Sequence, residues 1–188
     1  MSDPYSAKPW LKHYDTHVPP NLTYPAKNYL EYFLDAVASV PDRVAVYYMG
    51  RGLTFRELDV LSNQFAHFLV KHGIEPGDTV GVHLPNIPAY YIAIMGTLKA
   101  GCVLSGVSPL LQPYELEYQL KDSEAKILLT LDMLFEKASP VIINTAVQVV
   151  VVAGIADFLP AAKRFLGRLL KKIPSASVFP ISYLSVLS

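Results

Sequence analysis

Apolar and polar positions alternate along this chain with two different periods. Helical spacing of the apolar positions predicts helices over 29–40, 54–72, 89–99, 112–121 and 132–139. Short runs rich in β-branched and aromatic residues predict strands over 44–49, 79–84, 125–131 and 147–152, and a further strand that begins at Val103. Strands that alternate with helices of this length favour the α/β class, with an open, mainly parallel sheet and helices on both faces.

The helix predicted after the first strand carries the clearest local signal. Thr54 and Glu57 have the spacing of a capping box, in which the threonine hydroxyl accepts from the Glu57 amide and the Glu57 carboxylate reaches back to the Thr54 amide. Gly73 follows the last apolar position of this helix and is expected to end it. The next helix is apolar on almost every side, begins near Pro88 and is expected to end at Gly101.

Two segments of the chain differ in composition. Residues 1–28 hold five prolines among polar and aromatic residues, and because proline disfavours helix interiors and central strands, we expect an extended arm. Residues 29–188 are expected to form one α/β subdomain. The stretch 180–188 has neither a charge nor a helix-stop signal, and we interpret it as the cut end of a longer polypeptide.

The composition is short of charge. The 16 Lys and Arg residues balance the 16 Asp and Glu residues, so the chain lacks the basic excess of nucleic-acid binders. Charged residues make up 17% of the chain, below the usual value of about 25%, whereas hydrophobic residues make up 52%. This imbalance suggests that part of the apolar surface contacts a missing domain, a partner or a membrane.

Several features favour a cytoplasmic protein. The single cysteine, Cys102, cannot form an intramolecular disulfide, and the first residues lack the basic and apolar pattern of a signal peptide. The longest apolar stretches, 89–98 and 141–153, are shorter than the roughly 20 residues that span a bilayer. We therefore expect cytoplasmic localisation without a transmembrane helix.

Candidate catalytic and metal-binding groups are sparse. Gly50 begins a glycine pair that lacks the third glycine of the dinucleotide-binding motif. Gly101 begins a second pair, which lacks the lysine of a phosphate-binding loop. His13 and His17 have ligand-like spacing on a proline-rich arm, and we interpret them as an incidental pair. Cys102 is expected to be a buried, inert thiol. We assign no catalytic, cofactor-binding or metal-binding residue from these patterns.

Residues 161–173 contain five basic and no acidic residues, and helical periodicity separates the basic half from an aliphatic and aromatic half. This pattern is typical of a helix at an anionic membrane surface, where cations contact the lipid headgroups. The alternative is an ordinary surface helix packed on the protein's own core. The candidate membrane-surface residues are Lys163, Arg164, Arg168, Lys171 and Lys172.

Segments in the middle of the chain resemble the motifs of one enzyme family. Residues 53–58 (Leu-Thr-Phe-Arg-Glu-Leu) resemble the first core motif of the adenylate-forming, AMP-binding superfamily, and residues 98–101 (Leu-Lys-Ala-Gly) resemble the start of its second. Residues 77–86 and 109–126 are similar to the neighbouring stretches, the latter in the form typical of fatty-acyl members. The resemblance is to the amino-terminal portion of the fatty-acyl-CoA synthetase branch, the long-chain fatty acid–CoA ligases. The matched motif positions, which we expect to serve as scaffold, are Leu53, Thr54, Glu57, Leu98, Lys99, Ala100 and Gly101.

This resemblance implies an AMP-forming acid–thiol ligase. Such an enzyme uses ATP and Mg²⁺ to activate a fatty acid as an acyl-adenylate and then transfers the acyl group to coenzyme A. The family's phosphate loop, its adenine- and metal-binding segment, its ribose-binding aspartate and its catalytic lysine match no segment of residues 1–188. The resemblance therefore implies that residues 29–188 are an incomplete adenylation domain, that the C-terminal domain lies elsewhere, and that this chain alone is inactive and binds no cofactor.

Two classes of function remain open. The first is the amino-terminal fragment of a fatty acid–CoA ligase, and the second is a non-catalytic module that binds a membrane peripherally or binds an acyl chain. The partners expected are fatty acid and coenzyme A in the parent enzyme, the missing remainder of that enzyme, an anionic membrane surface and a second copy in a homodimer. Nucleic acid is not among them.

Overall fold

The computed structural model describes residues 3–160, Lys163 and residues 181–182, and the structural statements below concern these residues. Five parallel strands form a sheet in the order β4-β3-β5-β6-β7, and two antiparallel strands form a separate hairpin. The strands are β1 (Val44–Tyr48), β2 (Arg51–Thr54), β3 (Thr79–His83), β4 (Val103–Gly106), β5 (Ile127–Leu131), β6 (Val149–Ala153) and β7 (Ile181–Ser182).

Helices cover both faces of the parallel sheet. The helices of the described residues are α1 (Pro4–Ala7), α2 (Tyr29–Ser39), α3 (Phe55–Lys71), α4 (Pro88–Lys99), α5 (Pro113–Asp122) and α6 (Asp132–Ile142), with a 3₁₀ helix at Pro9–His13. Side chains of α3 and α4 share a core with Ile127 and Leu129 of β5, whereas α5 and α6 pack on Leu128 from the opposite face. The predicted α/β class, with a parallel sheet flanked by helices, is confirmed.

The first predicted strand does not belong to the parallel sheet. Residues 44–49 were expected to open the β-α-β alternation, but β1 pairs with β2 as a hairpin. Met49 and Gly50 form its two-residue turn, and both have positive φ, 48° and 90°. A turn of this kind joins antiparallel strands, whereas parallel neighbours need a crossover of a dozen or more residues. The expectation was wrong because residues 51–54 form a second strand, β2, which the apolar pattern did not predict.

The arm at 1–28 is not extended throughout. Pro4 and Pro9 are the first residues of α1 and of the 3₁₀ helix. Proline is tolerated there because the N–H group that it lacks has no acceptor within the helix at this position. The expectation that prolines exclude helix here was therefore wrong for residues 4–13. No residue of this segment whose burial is described is buried, and the boundary of the arm at residue 28 stays a prediction.

The helix ends that sequence signals predicted are confirmed for α3 and α4. Gly73 and Gly101 follow these helices with φ of 74° and 72°. After α4, the Cys102 N–H donates to the Thr97 carbonyl (3.0 Å) and the Gly101 N–H donates to the Leu98 carbonyl (3.1 Å). These two bonds define a Schellman motif, which needs a left-handed residue after the helix and therefore favours glycine there.

Candidate functional site at the carboxyl edge of the sheet

The carboxyl ends of the parallel strands form the most suitable place for a ligand. The chain passes from β3 to β4 on one side and then crosses to β5 on the other side of β3. In open α/β sheets, ligands bind outside the carboxyl ends of the strands where the strand order reverses in this way. Here that position is the β3–β5 boundary, with the loops that follow each strand.

A buried histidine and threonine lie at this reversal. His83 is the last residue of β3, Thr130 is its partner on β5, and the His83 Nδ1 is 3.0 Å from the Thr130 Oγ1. His83 is 3% exposed and Thr130 is fully buried. The second ring nitrogen, Nε2, has no hydrogen-bond partner in the described part of the chain.

The surroundings of His83 favour a neutral imidazole. Burial lowers the pKa of His83 from its ordinary value, and the nearby Ser108 backbone opposes part of this change. A neutral ring holds one proton, so the nitrogen not bonded to Thr130 can offer one donor or one acceptor to a neighbouring group.

The pair of His83 and Thr130 was not predicted from the sequence. The available signal was a single polar residue within the apolar run 80–84.

A cleft of about 530 Å³ opens beside the ends of β3 and β4. Its wall is mainly apolar, with an amide, a serine hydroxyl and a tyrosine among the lining side chains. Ser108 accepts a hydrogen bond from the Leu110 N–H (3.3 Å) through its Oγ. The lining residues are Leu84, Pro85, Asn86, Tyr90, Gly106, Val107, Ser108, Pro109 and Leu110.

A second polar group joins the ends of β5 and β6 to the hairpin. Asp132 accepts from the Met133 N–H (2.8 Å) and from the Ile155 backbone, and burial raises the pKa of its carboxyl group. The Tyr48 hydroxyl donates to the Ile155 carbonyl (2.8 Å), and burial raises the pKa of this phenol. Asp157 accepts from the Gly154 N–H (2.8 Å). These polar groups therefore bind the strand ends to one another.

Neither the pair of His83 and Thr130 nor the polar residues at the ends of β5 and β6 form a metal site. Within the described residues, no three His, Cys, Asp or Glu side chains are placed to hold one ion. His13 and His17 lie on the exposed arm. Cys102 is buried, and burial raises the pKa of its thiol, as expected of an unreactive cysteine.

The motif positions singled out in the sequence lie around the start of α3 and the end of α4. The Thr54 N–H donates to the Glu57 carboxylate (2.8 Å), and the Glu57 N–H donates to the Thr54 Oγ1 (3.2 Å), which confirms the predicted capping box. Leu53 is 3% exposed and belongs to the main core. Leu98, Ala100 and Gly101 build the helix end described above, where Ala100 is the C-cap residue.

Lys99 connects these two segments. Its Nζ donates to Asp59 Oδ1 (2.6 Å), Asn63 Oδ1 (2.7 Å), Ser62 Oγ (2.8 Å) and the Asp59 carbonyl (3.0 Å), all on α3. The ammonium also lies 5.4 Å from the centre of the Phe33 ring, within range of a cation–π contact. The Lys99 side chain is only 11% exposed. Lys99 therefore binds the end of α4 to the first turns of α3.

The predicted membrane-surface residues fall mostly outside the described part of the chain. Lys163 is exposed, and its Nζ donates to the Met49 carbonyl in the hairpin turn (2.9 Å). The other four residues, Arg164, Arg168, Lys171 and Lys172, lie outside the described residues. Among the described residues, no helix is both long enough and apolar enough to cross a bilayer.

We expect Thr54→Ala to lower the free energy of unfolding by about 1 kcal/mol, because one orphan amide of α3 loses its acceptor. Thr54→Ser keeps the hydroxyl and serves as the matched control, with an expected change below about 0.5 kcal/mol. Urea unfolding of the three proteins at one pH measures these differences. Equal stability of Thr54→Ala and the parent chain would contradict this role of the cap.

The same cap predicts a dependence on pH. The hydrogen bond from the Thr54 N–H lowers the pKa of Glu57 below its ordinary value, so the folded state binds a proton at Glu57 less readily than the unfolded state. The stabilisation is therefore present at neutral pH and is lost as the pH falls through the lowered pKa. The stability difference between the parent chain and Glu57→Gln should shrink from pH 7 towards pH 3. A constant difference would contradict the linkage.

A family model places the protein in a class. The model described as "AMP-binding enzyme" matches residues 33–171, most of the chain, and the chain belongs to this family. Its curated relatives include long-chain-fatty-acid–CoA ligases. That of Bacillus subtilis is 36% identical over 89% of this chain and 30% of its own length, and that of Yersinia pestis is 34% identical over 96% and 34%. The chain thus spans about a third of the length of these two ligases.

Solved structures share the fold. A long-chain-fatty-acid-CoA ligase from Archaeoglobus fulgidus superposes with a TM-score of 0.63 at 26% identity, over 71% of this chain and 28% of that one. A benzoate CoA ligase from Burkholderia xenovorans gives a TM-score of 0.63 at 22% identity, over 67% of this chain and 26% of that one, and at this identity it shows the fold alone. The predicted resemblance to the adenylate-forming ligases is confirmed.

Proposed function

We propose that this chain is the amino-terminal part of an ATP-dependent fatty-acyl-CoA ligase. The observation that carries the proposal is the identity of 33–36% to long-chain-fatty-acid–CoA ligases over most of the chain. The parent enzyme would activate a fatty acid with ATP and Mg²⁺ as an acyl-adenylate and would then form the thioester with coenzyme A. It would act in the cytoplasm.

The role that we propose for these residues is structural. Lys99 holds α4 against α3. The capping box at Thr54 begins α3, and the bonds around Gly101 end α4. The groups that contact ATP, Mg²⁺ and coenzyme A would lie on polypeptide outside these 188 residues. The chain alone would then have no ligase activity and would bind none of the three.

The carboxyl edge of the sheet would face the ligands in this arrangement. It carries the reversal of strand order, the buried pair His83 and Thr130, and the cleft beside β3 and β4. These features supply a shaped, mainly apolar wall with a few polar groups, which is the usual composition of a small-molecule site. We propose that the edge forms one side of the acyl-adenylation cleft.

The length of the native polypeptide tests this proposal. An antibody raised against the chain should detect, in cells that carry the native gene, a protein of about three times the 20.8 kDa mass of this chain, since the chain spans 30–34% of the ligases that it resembles. A native product of 20.8 kDa would contradict the proposal and favour the non-catalytic module.

We also propose that the basic segment 161–173 attaches the protein to anionic membranes. Replacing Lys163, Arg164 and Arg168 together by Gln should weaken co-sedimentation with phosphatidylserine-containing vesicles about 100-fold, because each cation near such a surface contributes about 1 kcal/mol. Exchanging the exposed Lys12, Lys71 and Lys137 for Gln changes the net charge equally and serves as the control. Equal weakening in both variants, or no binding by the parent chain, would reject this attachment.

A further inference from the structure

β4 is the outermost strand on one side of the parallel sheet. It pairs with β3 on its inner side, and no strand among the described residues pairs with its outer side. Val103 begins β4 and is 51% exposed, whereas the strands in the middle of the sheet consist mainly of buried residues. The outer edge of β4 is therefore open as far as the described residues show.

The backbone register shows which groups this edge presents. The Val103 N–H donates to the Asp78 carbonyl (2.8 Å), and the Val107 N–H donates to the Val82 carbonyl (3.0 Å). Because bonding to one neighbour repeats every second residue in a parallel ladder, Leu104 and Gly106 turn their N–H and C=O groups to the outer side.

One of these outer groups already has a partner. The Gln119 side-chain amide donates to the Gly106 carbonyl from α5 (3.0 Å). The Leu104 N–H, the Leu104 carbonyl and the Gly106 N–H have no protein partner in the described part of the chain. Together they form a donor–acceptor set that a neighbouring strand can complete.

Among the residues that the structure describes, this edge has none of the features that usually prevent strand addition. Native edges are protected by lysines, prolines, bulges or a covering loop. The four residues of β4 are Val-Leu-Ser-Gly, without a charge or a proline, and their register with β3 is regular. A Cβ atom added at Gly106 would approach no atom outside its immediate chain neighbours more closely than 3.8 Å, so there is room beside this residue.

We propose that a strand from the remainder of the ligase polypeptide pairs with the outer edge of β4 through Leu104 and Gly106. This inference rests on the proposed function, because the chain spans about a third of its relatives and the remainder supplies the strand. An uncharged edge on a chain with zero net charge would otherwise favour aggregation. The added strand is short, because β4 offers only two outward residues.

Amide hydrogen exchange tests the pairing without any substitution. The 188-residue chain and the intact ligase would be labelled with ¹⁵N-valine, ¹⁵N-leucine and ¹⁵N-glycine, and exchange would be followed by NMR. In the isolated chain, the Leu104 and Gly106 amides should exchange at least about tenfold faster than the Val103 amide, which is bonded to β3 and serves as the internal control. In the intact ligase, all three amides should exchange slowly.

Two results would overturn the inference. The first is fast exchange of Leu104 and Gly106 in the intact ligase. The second is protection of these amides in the isolated chain that rises with protein concentration, because the partner would then be a second copy of the chain. Failure of the proposed function is detected by a different measurement, because the native product would then have a mass of 20.8 kDa. A product of that mass would contain no further polypeptide that could supply the added strand.

Discussion

Gly96→Ala is expected to lower the free energy of unfolding by about 2 to 3 kcal/mol, the usual cost of overpacking a close contact. Gly96 lies in α4 where this helix crosses α3. A Cβ atom at this position would lie 2.7 Å from the Phe65 Cδ1 and 2.8 Å from the Ser62 carbonyl oxygen. The carbonyl belongs to the backbone of α3, so the two helices would have to separate. Helix propensity alone predicts the opposite sign, a gain of about 1 kcal/mol for alanine.

Chemical denaturation of the two proteins measures this difference, and Gly106→Ala is the matched control. The space beside Gly106 admits a methyl group, and this substitution should change stability by less than about 0.5 kcal/mol. If Gly96→Ala were neutral or stabilising, the close approach of α3 and α4 in this protein would be refuted.

Lys99→Met is expected to cost about 2 to 4 kcal/mol, with a fall in melting temperature of about 5–10 °C. Methionine keeps most of the aliphatic stem but removes the ammonium. The Asp59 carboxylate, the Ser62 hydroxyl and the Asn63 amide oxygen then lose their shared donor. The Asp59 side chain is 25% exposed, so water replaces only part of the lost interaction.

An exposed ion pair in the same protein provides the control. Lys121 pairs with Glu117 one helical turn away on α5 (2.6 Å), with a Lys121 side chain that is 51% exposed. Lys121→Met should therefore cost less than about 0.5 kcal/mol. A double-mutant cycle of Lys99→Met with Asp59→Asn should give a coupling energy of at least about 1 kcal/mol. Additive effects in this cycle would contradict the proposed link between α3 and α4.

Local signals were sufficient to predict much of the fold. The capping box at Thr54 and the helix end at Gly101 involve residues a few positions apart, so their geometry can be inferred from spacing alone. The order of the strands and the separation of the hairpin depend on contacts between distant residues. The turn at Met49 shows the limit, because a non-glycine residue adopts φ of 48° there and the sequence carries no warning of it.

The candidate site was harder to predict than the fold. His83 and Thr130 are 47 positions apart and meet only because β3 and β5 pair in one particular register. Lys99 was interpreted as part of a helix end, whereas its contacts with α3 cross 36 to 40 positions of sequence. The family resemblance identified the right segments but could not show that Lys99 joins them.

Pyrophosphate exchange into ATP in the presence of long-chain fatty acids tests the central claim most directly. The claim is that these 188 residues form a supporting wall of an adenylate-forming ligase whose reactive groups lie on other polypeptide. The purified chain should show no exchange above the blank, whereas the intact native ligase, assayed in parallel, should show fatty-acid-dependent exchange. Exchange catalysed by the purified 188-residue chain itself would contradict the account.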